Sequence, residues 1–234
     1  DGRGKILTFN QAAQEIFGYT EDETLGKNIS MLMGSPHREH HDSYLSNYIE
    51  RGISDITGRI RELDALRKDG STFPIELGVV EVQVAGEVNF IGVVRDITDR
   101  KQREHEIHQL AFYDPLTLLP NRRLLLDRLA GAINHSARTS NFSALLFLDL
   151  DNFKNLNDSA GHNKGDLLLC QVAERLVNSV RQGDTVARLG GDEFVIIASD
   201  LSHDPTLAAN HAERLAQKIA GNLTREYNLD GLTY

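Results

Sequence analysis

Arg188-Leu189-Gly190-Gly191-Asp192-Glu193-Phe194 is the stretch on which the reading of the chain turns. Thr185 to Leu189 reads as a short strand and Phe194 to Ser199 as a buried one. Gly190 and Gly191 between them predict a tight hairpin whose turn needs positive φ. Residues without Cβ also let a ligand approach the backbone closely. Asp192 and Glu193 follow at once. Neighbouring strand residues point to opposite faces, so one carboxylate can hold a metal while the other faces a substrate. Taken alone, Gly-Gly-Asp is also ordinary turn chemistry.

Working outward, Ala144 to Leu148 is an apolar run ending in Asp149, the pattern of a central strand buried on both faces. Three amphipathic helices are expected around it. One follows Pro120-Asn121, with Leu125, Leu129, Ala132 and Ile133 inward. A second runs from about Gly165 to Val180, with Leu169, Val172, Ala173, Leu176 and Val180 inward. The third, about Thr206 to Ala220, buries Ala208, Ala212, Leu215 and Ile219. Strands alternating with helices around a mixed sheet make an α/β unit. An acid at the end of a buried strand stands where such sheets place ligands. With the hairpin alongside, Asp149 and Asp192 can converge on one hard cation. The backbone N–H groups of Asn152, Phe153 and Lys154 could cradle phosphates as a nest. Asn157 and Asp166 offer an amide and a carboxylate, the complement of a guanine edge.

Composition narrows the partners. The chain has 234 residues, enough for two domains, with 40% apolar and 25% charged residues. The net charge of -9 argues against non-specific nucleic-acid binding. No apolar run approaches the ~20 residues of a membrane span. A single cysteine, Cys170, excludes an internal disulfide, fits a reducing cytoplasmic setting and reads as a small core residue. Turn residues open and close the chain, and both ends read as truncated.

In residues 1–98 a strand Lys5 to Phe9 is expected first, then a helix Gln11 to Phe17 capped by Asn10 and ended by Gly18. A longer helix follows from His37 to about Arg51. Strands Ile56 to Leu66 and Thr72 to Val84 meet at Asp69-Gly70, and a last strand spans Val88 to Arg95. In the second strand the apolar set shifts phase near Val79, which predicts a β-bulge. Residues 99–113 carry no helix breaker and read as a charged linker helix, with Ile97, Ile107, Leu110 and Ala111 as a thin seam toward a second copy. A solvated monomeric linker helix is the competing reading.

The order of elements in the first part resembles a PAS domain, an α+β fold with an antiparallel sheet and short helices. Phe9-Asn10 with Ala12-Ala13, Phe17-Gly18-Tyr19, Arg67 to Ser71 and Asp96-Ile97-Thr98 carry the resemblance. It implies a sensory, dimerising module lacking its first strand. His41-Asp42-Ser43-Tyr44-Leu45 is similar to the helix of haem-binding oxygen-sensor PAS domains. There a histidine ligates the iron, here His41, and a strand arginine, here Arg61, faces bound oxygen or a propionate. Asn47 and Asp55 stand where such sensors often hold basic propionate partners. The other reading makes His37, His40 and His41 a solvated helix start in a ligand-free fold.

Asp114-Pro115-Leu116-Thr117, Leu119 to Arg122, Phe147 to Lys154, Asn157-Asp158, Gly161-His162, Gly165-Asp166 and Arg188 to Phe194 together resemble a GGDEF domain, residues 114–234. That family contains the diguanylate cyclases, which join two GTP molecules into cyclic di-GMP on a nucleotidyl-cyclase-like fold. The resemblance implies Mg²⁺ or Mn²⁺ on Asp149, the Leu150 carbonyl and Asp192. It also implies that Glu193 supports deprotonation of the attacking hydroxyl, that Asn157 and Asp166 read guanine, and that the active form is a homodimer. Arg181-Gln182-Gly183-Asp184 matches the family's RxxD inhibitory motif, where Arg181 and Asp184 bind the product. Leu118 replaces a common glycine, a variant associated with a downstream EAL phosphodiesterase domain. The resemblance implies a later strand and helix, expected beyond Tyr234, that supply further basic residues to the triphosphate. Activity is expected of a longer parent, and the fragment itself is expected to be incomplete. The competing function is therefore a non-catalytic GTP-binding regulator of such a phosphodiesterase.

Overall fold

A computed structural model describes residues 1–51 and 58–234, which form two compact units, Asp1–Glu104 and His105–Tyr234.

In the first unit, α1 (Gln11–Phe17) starts where the Asn10 side chain accepts the Ala13 N–H, and it stops at Gly18 in the left-handed region. A short α2 (Glu21–Thr24) and a 3₁₀ turn (Ile29–Leu32) lead to α3 (His37–Arg51). The sheet is β1 (Ile60–Leu66), β2 (Thr72–Val84) and β3 (Glu87–Asp96), in that order and antiparallel. Its inner face closes a core of Phe9, Phe17, Leu32, Ala65, Phe73 and Ile75.

Two expectations are corrected here. Lys5 to Phe9 is not a strand. Lys5 makes one isolated bridge to Asn28, and Ile6 exchanges backbone hydrogen bonds with Gly26 and Lys27, so the segment is held by a loop. Nor does β2 carry a bulge, because its register with β3 runs unbroken from Ile75↔Asp96 to Val84↔Glu87. Val80 and Val84 lie on the outer face of a regular strand, open to solvent with Ile91 and Val93 opposite. The expected strand start at Ile56 lies outside the described residues, as does Asp55.

Helix α4 (Thr98–Phe112) leaves β3 directly. The Asp96 carboxylate accepts the Thr98 N–H and pairs with Arg67 at 2.6 Å. Arg100 bridges Glu62 (2.7 Å) and Glu76 (3.0 Å), tying the first turn of α4 to the sheet. Ile97 is buried in the first unit and cannot belong to a seam for a partner helix, whereas Ile107 and Leu110 are open to solvent.

The second unit begins with the rest of α4 and α5 (Arg122–Thr139), whose first N–H groups are capped by Asn121. Then come β4 (Phe142–Leu148), α6 (Phe153–Ala160), α7 (His162–Ser179), β5 (Thr185–Gly190), β6 (Glu193–Ser202) and α8 (Pro205–Leu223). The three described strands of its sheet run in the order β4-β6-β5, all antiparallel. Helices α7 and α8 cover one face through Leu168, Leu169, Val172, Leu176 and Ile219. Leu125, Leu129 and Ala132 of α5 cover the other, over Ala187, Val195 and Ile197. A small hairpin, β7 (Asn228–Leu229) and β8 (Leu232–Thr233), turns at Asp230-Gly231, so the terminal strand is paired and buries Leu229 in the main core.

The central strand is β6, from Phe194 to Ala198, and not β4. Among the described residues β4 pairs on one side only. Leu146 and Leu148 reach the core, while Phe147 is 71% exposed because α5 lies mainly over β5 and β6. Ile133 of α5 is exposed for the same reason. No helix is long and apolar enough to cross a membrane among the described residues.

Candidate functional site

Register positions the acids. Leu148 pairs with Phe194, so the chain leaves β4 at Asp149 beside the point where it enters β6 at Glu193. Gly190 pairs with Glu193, so the tight turn is Gly191-Asp192, with Gly190 at φ +144 and Gly191 at φ +54. Only glycine adopts the first of these without strain. Asp192 is half-buried in the turn and Glu193 exposed at the start of β6. Asp149, Asp192 and Glu193 therefore share one end of the sheet.

The turn is clamped from behind. Arg188 donates to the Gly191 carbonyl through Nε (3.0 Å) and Nη2 (2.7 Å), and pairs through Nη1 with Asp114 at 2.9 Å. Both side chains of that pair are nearly buried. The same Asp114 oxygen accepts the Thr117 N–H (2.8 Å) and hydroxyl (2.6 Å). Burial alone would raise the Asp114 carboxyl. The bonds from Thr117 and the Arg188 guanidinium outweigh it and hold the group below its ordinary value. The intervening turn holds Leu118 at φ +57, a left-handed position that suits the glycine the resemblance leads one to expect there.

Beyond β4, Asn152 is left-handed at φ 62 and Phe153 begins α6, a succession that turns neighbouring N–H groups to one side. Phe153 donates to the Leu150 carbonyl at 3.3 Å, which leaves that oxygen a second lone pair. Lys154 is exposed in the first turn. Sequence reasoning missed α6, whose eight residues contain only two large apolar ones, Phe153 and Leu156.

Helices α6 and α7 meet at Gly165. A Cβ there would stand 2.0 Å from Asn157 Oδ1 and 3.3 Å from Phe153, so only glycine fits. Asn157 Oδ1 is buried and has no hydrogen-bond partner among the described residues. Asp166 follows Gly165 and is exposed. A buried acceptor oxygen without a partner among the described residues suits a ligand edge that offers a donor, and a carboxylate nearby in sequence suits N–H donors as well. Two carboxylates and a carbonyl suit Mg²⁺ in oxygen chemistry. No group of three or more His, Cys, Asp or Glu side chains that could hold a metal occurs among the described residues.

Arg181 and Asp184 lie on the turn between α7 and β5. The Asp184 carboxylate accepts the Arg181 N–H (3.0 Å) and the Ser199 N–H (3.2 Å), so it shapes the turn that carries Arg181. Arg181 lines a hollow of about 500 Å³ with Leu201, His211, Arg214, Leu215 and Lys218. The α8 members were missed by sequence reasoning. Their signal was basic spacing at 211, 214 and 218, one helix face.

In the first unit, burial lowers the pKa of His41 against the opposing effect of Asp42, so the neutral imidazole is favoured. Its Nδ1 is buried without a hydrogen-bond partner among the described residues. The ring edge packs on Gly4, where a Cβ would lie 3.3 Å from His41 Cε1. Arg61 pairs with Leu77 and shares its face with Leu63 and Ala65, the core side of the sheet. Asn47 is exposed.

Family models match both units: a PAS domain over residues 1–99, and a diguanylate cyclase GGDEF domain over residues 111–233. The chain is 50% identical over 123 residues, 53% of its length, to the bifunctional diguanylate cyclase/cyclic di-GMP phosphodiesterase MucR of Pseudomonas aeruginosa. It is 32% identical over 219 residues, 91% of its length, to the diguanylate cyclase DgcM of Escherichia coli. It is 41% identical over 110 residues, 47% of its length, to the sensor protein FixL of Bradyrhizobium diazoefficiens. It spans 18%, 51% and 22% of those relatives respectively. The chain belongs to the GGDEF family, with a PAS domain ahead of its GGDEF domain.

Proposed function

We propose that the chain is the sensor and synthase portion of a diguanylate cyclase that acts as a homodimer, each protomer holding one GTP. The observation that carries this reading is the shared sheet end of Asp149, Asp192 and Glu193, close in sequence and fold to the unpartnered Asn157. Asp149, Asp192 and the Leu150 carbonyl would hold Mg²⁺ or Mn²⁺, which supplies polarisation of the α-phosphate and neutralises developing charge. The N–H groups of Asn152, Phe153 and Lys154 hold phosphate oxygens, and Asn157 with Asp166 orients the guanine. Glu193 supports removal of the 3′-hydroxyl proton. The 3′-oxygen then bonds to the α-phosphorus of the partner's GTP as the bond to pyrophosphate breaks. Done twice, this yields cyclic di-GMP and two pyrophosphates.

Cyclic di-GMP also binds at Arg181, whose guanidinium meets phosphate or guanine while Asp184 holds the turn. Arg214 and Lys218 add positive charge to the same hollow. The test is turnover of GTP with Mg²⁺ by the purified longer parent protein, because the fragment alone is expected to lack part of the triphosphate site. Cyclic di-GMP lost in Asp149→Asn and Asp192→Asn supports the reading. GTP binding without product in the wild type would replace it with the regulator of an EAL phosphodiesterase.

For the PAS unit a haem pocket is proposed, favoured by the half-buried His41, whose pKa burial lowers and whose Nδ1 makes no hydrogen bond among the described residues. His41 would ligate the iron and Arg61 would face its ligand or a propionate. Reconstitution with haemin should give a stoichiometric Soret band that changes in His41→Ala and persists in His37→Ala and His40→Ala. Absence of specific uptake would leave the PAS unit ligand-free.

A further inference from the structure

The hollow beside Arg181 holds one group that the proposed inhibitory site does not use. His211 stands one turn before Arg214 and two before Lys218 on the same face of α8. Its Nδ1 lies 3.0 Å from the Leu201 carbonyl. A carbonyl only accepts, so Nδ1 carries the proton in the neutral ring, and Nε2 is the nitrogen left for a ligand. A second proton on the ring can only go to Nε2. Neutral, it presents a lone pair, which a phosphate oxygen repels. Protonated, it becomes an N–H donor with a positive charge.

The surroundings set the sign. Arg214 and Lys218 on α8 and Arg181 on the α7–β5 turn face the same hollow. Leu201 contributes only its carbonyl from β6. Nearby acids are committed elsewhere: Asp184 to backbone N–H groups, Asp204 to the first turn of α8, and Asp200 to His135 and Asn141. His203 is the other titratable ring close by, in the turn before α8. Arg181, Arg214 and Lys218 make the hollow a cationic seat for a phosphate.

We infer that His211 is an anion-contacting residue of the inhibitory hollow, so that cyclic di-GMP binds there more tightly as the pH falls and binding takes up a proton. This rests on the proposed Arg181 site. The test is calorimetry on the full chain with cyclic di-GMP at pH 6 and pH 8, for the wild type, His211→Gln and Arg181→Ala. The wild type should bind roughly tenfold tighter at pH 6, as a charge-assisted contact allows. His211→Gln should bind with little dependence on pH, because glutamine can still donate to Leu201 but cannot titrate. Repeating the titration in buffers of different ionisation enthalpy should show proton uptake in the wild type alone. A flat wild type, or a pH dependence that persists in His211→Gln, overturns the inference. So does tighter binding at pH 8, which would make Nε2 an acceptor for a guanine N–H. If Arg181→Ala binds as well as the wild type, or nothing binds at any pH, the inhibitory site itself fails and the inference falls with it.

Discussion

Asn157 and His41 are the same device placed in two halves of one chain. Each is a helix side chain with a buried polar atom that makes no hydrogen bond among the described residues, and each lies against a glycine; His41 Nδ1 has only the Asp42 carboxylate, at 3.8 Å. Leaving such an atom unpaired costs about 1–3 kcal/mol, which a ligand can recover. The difference lies in what surrounds them. Asn157 has Gly165 against it with Asp166 next in sequence, and the turn at Asn152 opens the same helix just after Asp149. In the proposed function those groups together take a metal-bound nucleotide. His41 has the Asp42 carboxylate at 3.8 Å from Nδ1, and Asn47 is exposed. An orphaned atom marks a site; only its neighbours say what the site takes.

If the acids define the nucleotide half, Asp192→Asn should lower GTP turnover by a factor of roughly 100 or more, the scale of losing a charge-stabilising group, with thermal unfolding little changed. Comparable turnover in the variant would remove the contrast between the halves. Arg188→Ala should destabilise the second unit by about 3–5 kcal/mol, because it strands Asp114 nearly buried and unpaired. A denaturant titration reads this directly. The corresponding pair in the first unit, Arg67 and Asp96, is more exposed, so Arg67→Ala should have the smaller effect.

Gly165→Ala drives a methyl into Asn157, so it should weaken GTP binding by roughly tenfold and cost about 1–3 kcal/mol of stability. Unaltered affinity would show that Asn157 does not read the base. In the first half the test is pH. Burial depresses His41 in the folded state, so unfolding takes up its proton more readily. The neutral ring therefore contributes stability that is present above its ordinary value of 6.5 and is lost as the pH falls below it. His41→Gln should flatten that dependence, and haem uptake should steepen it, since iron competes with the proton. The smallest expected effect is Leu118→Gly. It relieves a left-handed leucine but loosens the unfolded chain, so stability should change by less than about 1 kcal/mol.

Much of this was legible in the sequence because the signals were local. Asn10 and Gly18 fix both ends of α1 by capping chemistry, and Gly190-Gly191 fix the hairpin by the φ they permit. What failed was tertiary. The apolar run Ala144 to Leu148 reads as a strand buried on both faces, yet nothing in a run of leucines says which neighbour is absent. The valines after Val79 imitate a bulge because apolar residues continue on a face that no core requires them to reach. The α8 side of the Arg181 hollow escaped because His211, Arg214 and Lys218 join it only when α8 packs beside β6. The pairing of Asp114 with Arg188 spans 74 residues and had no sequence signature of its own.

The open side of β4 has a consequence at the bench. A strand with free backbone donors and acceptors along one edge, and with Leu145 and Phe147 exposed on its face, is a template for another strand from a neighbouring molecule. As a free-standing polypeptide the chain should therefore turn cloudy with rising concentration, before either unit unfolds. A lysine at position 147 would suppress that by placing charge where a sticky contact would nucleate.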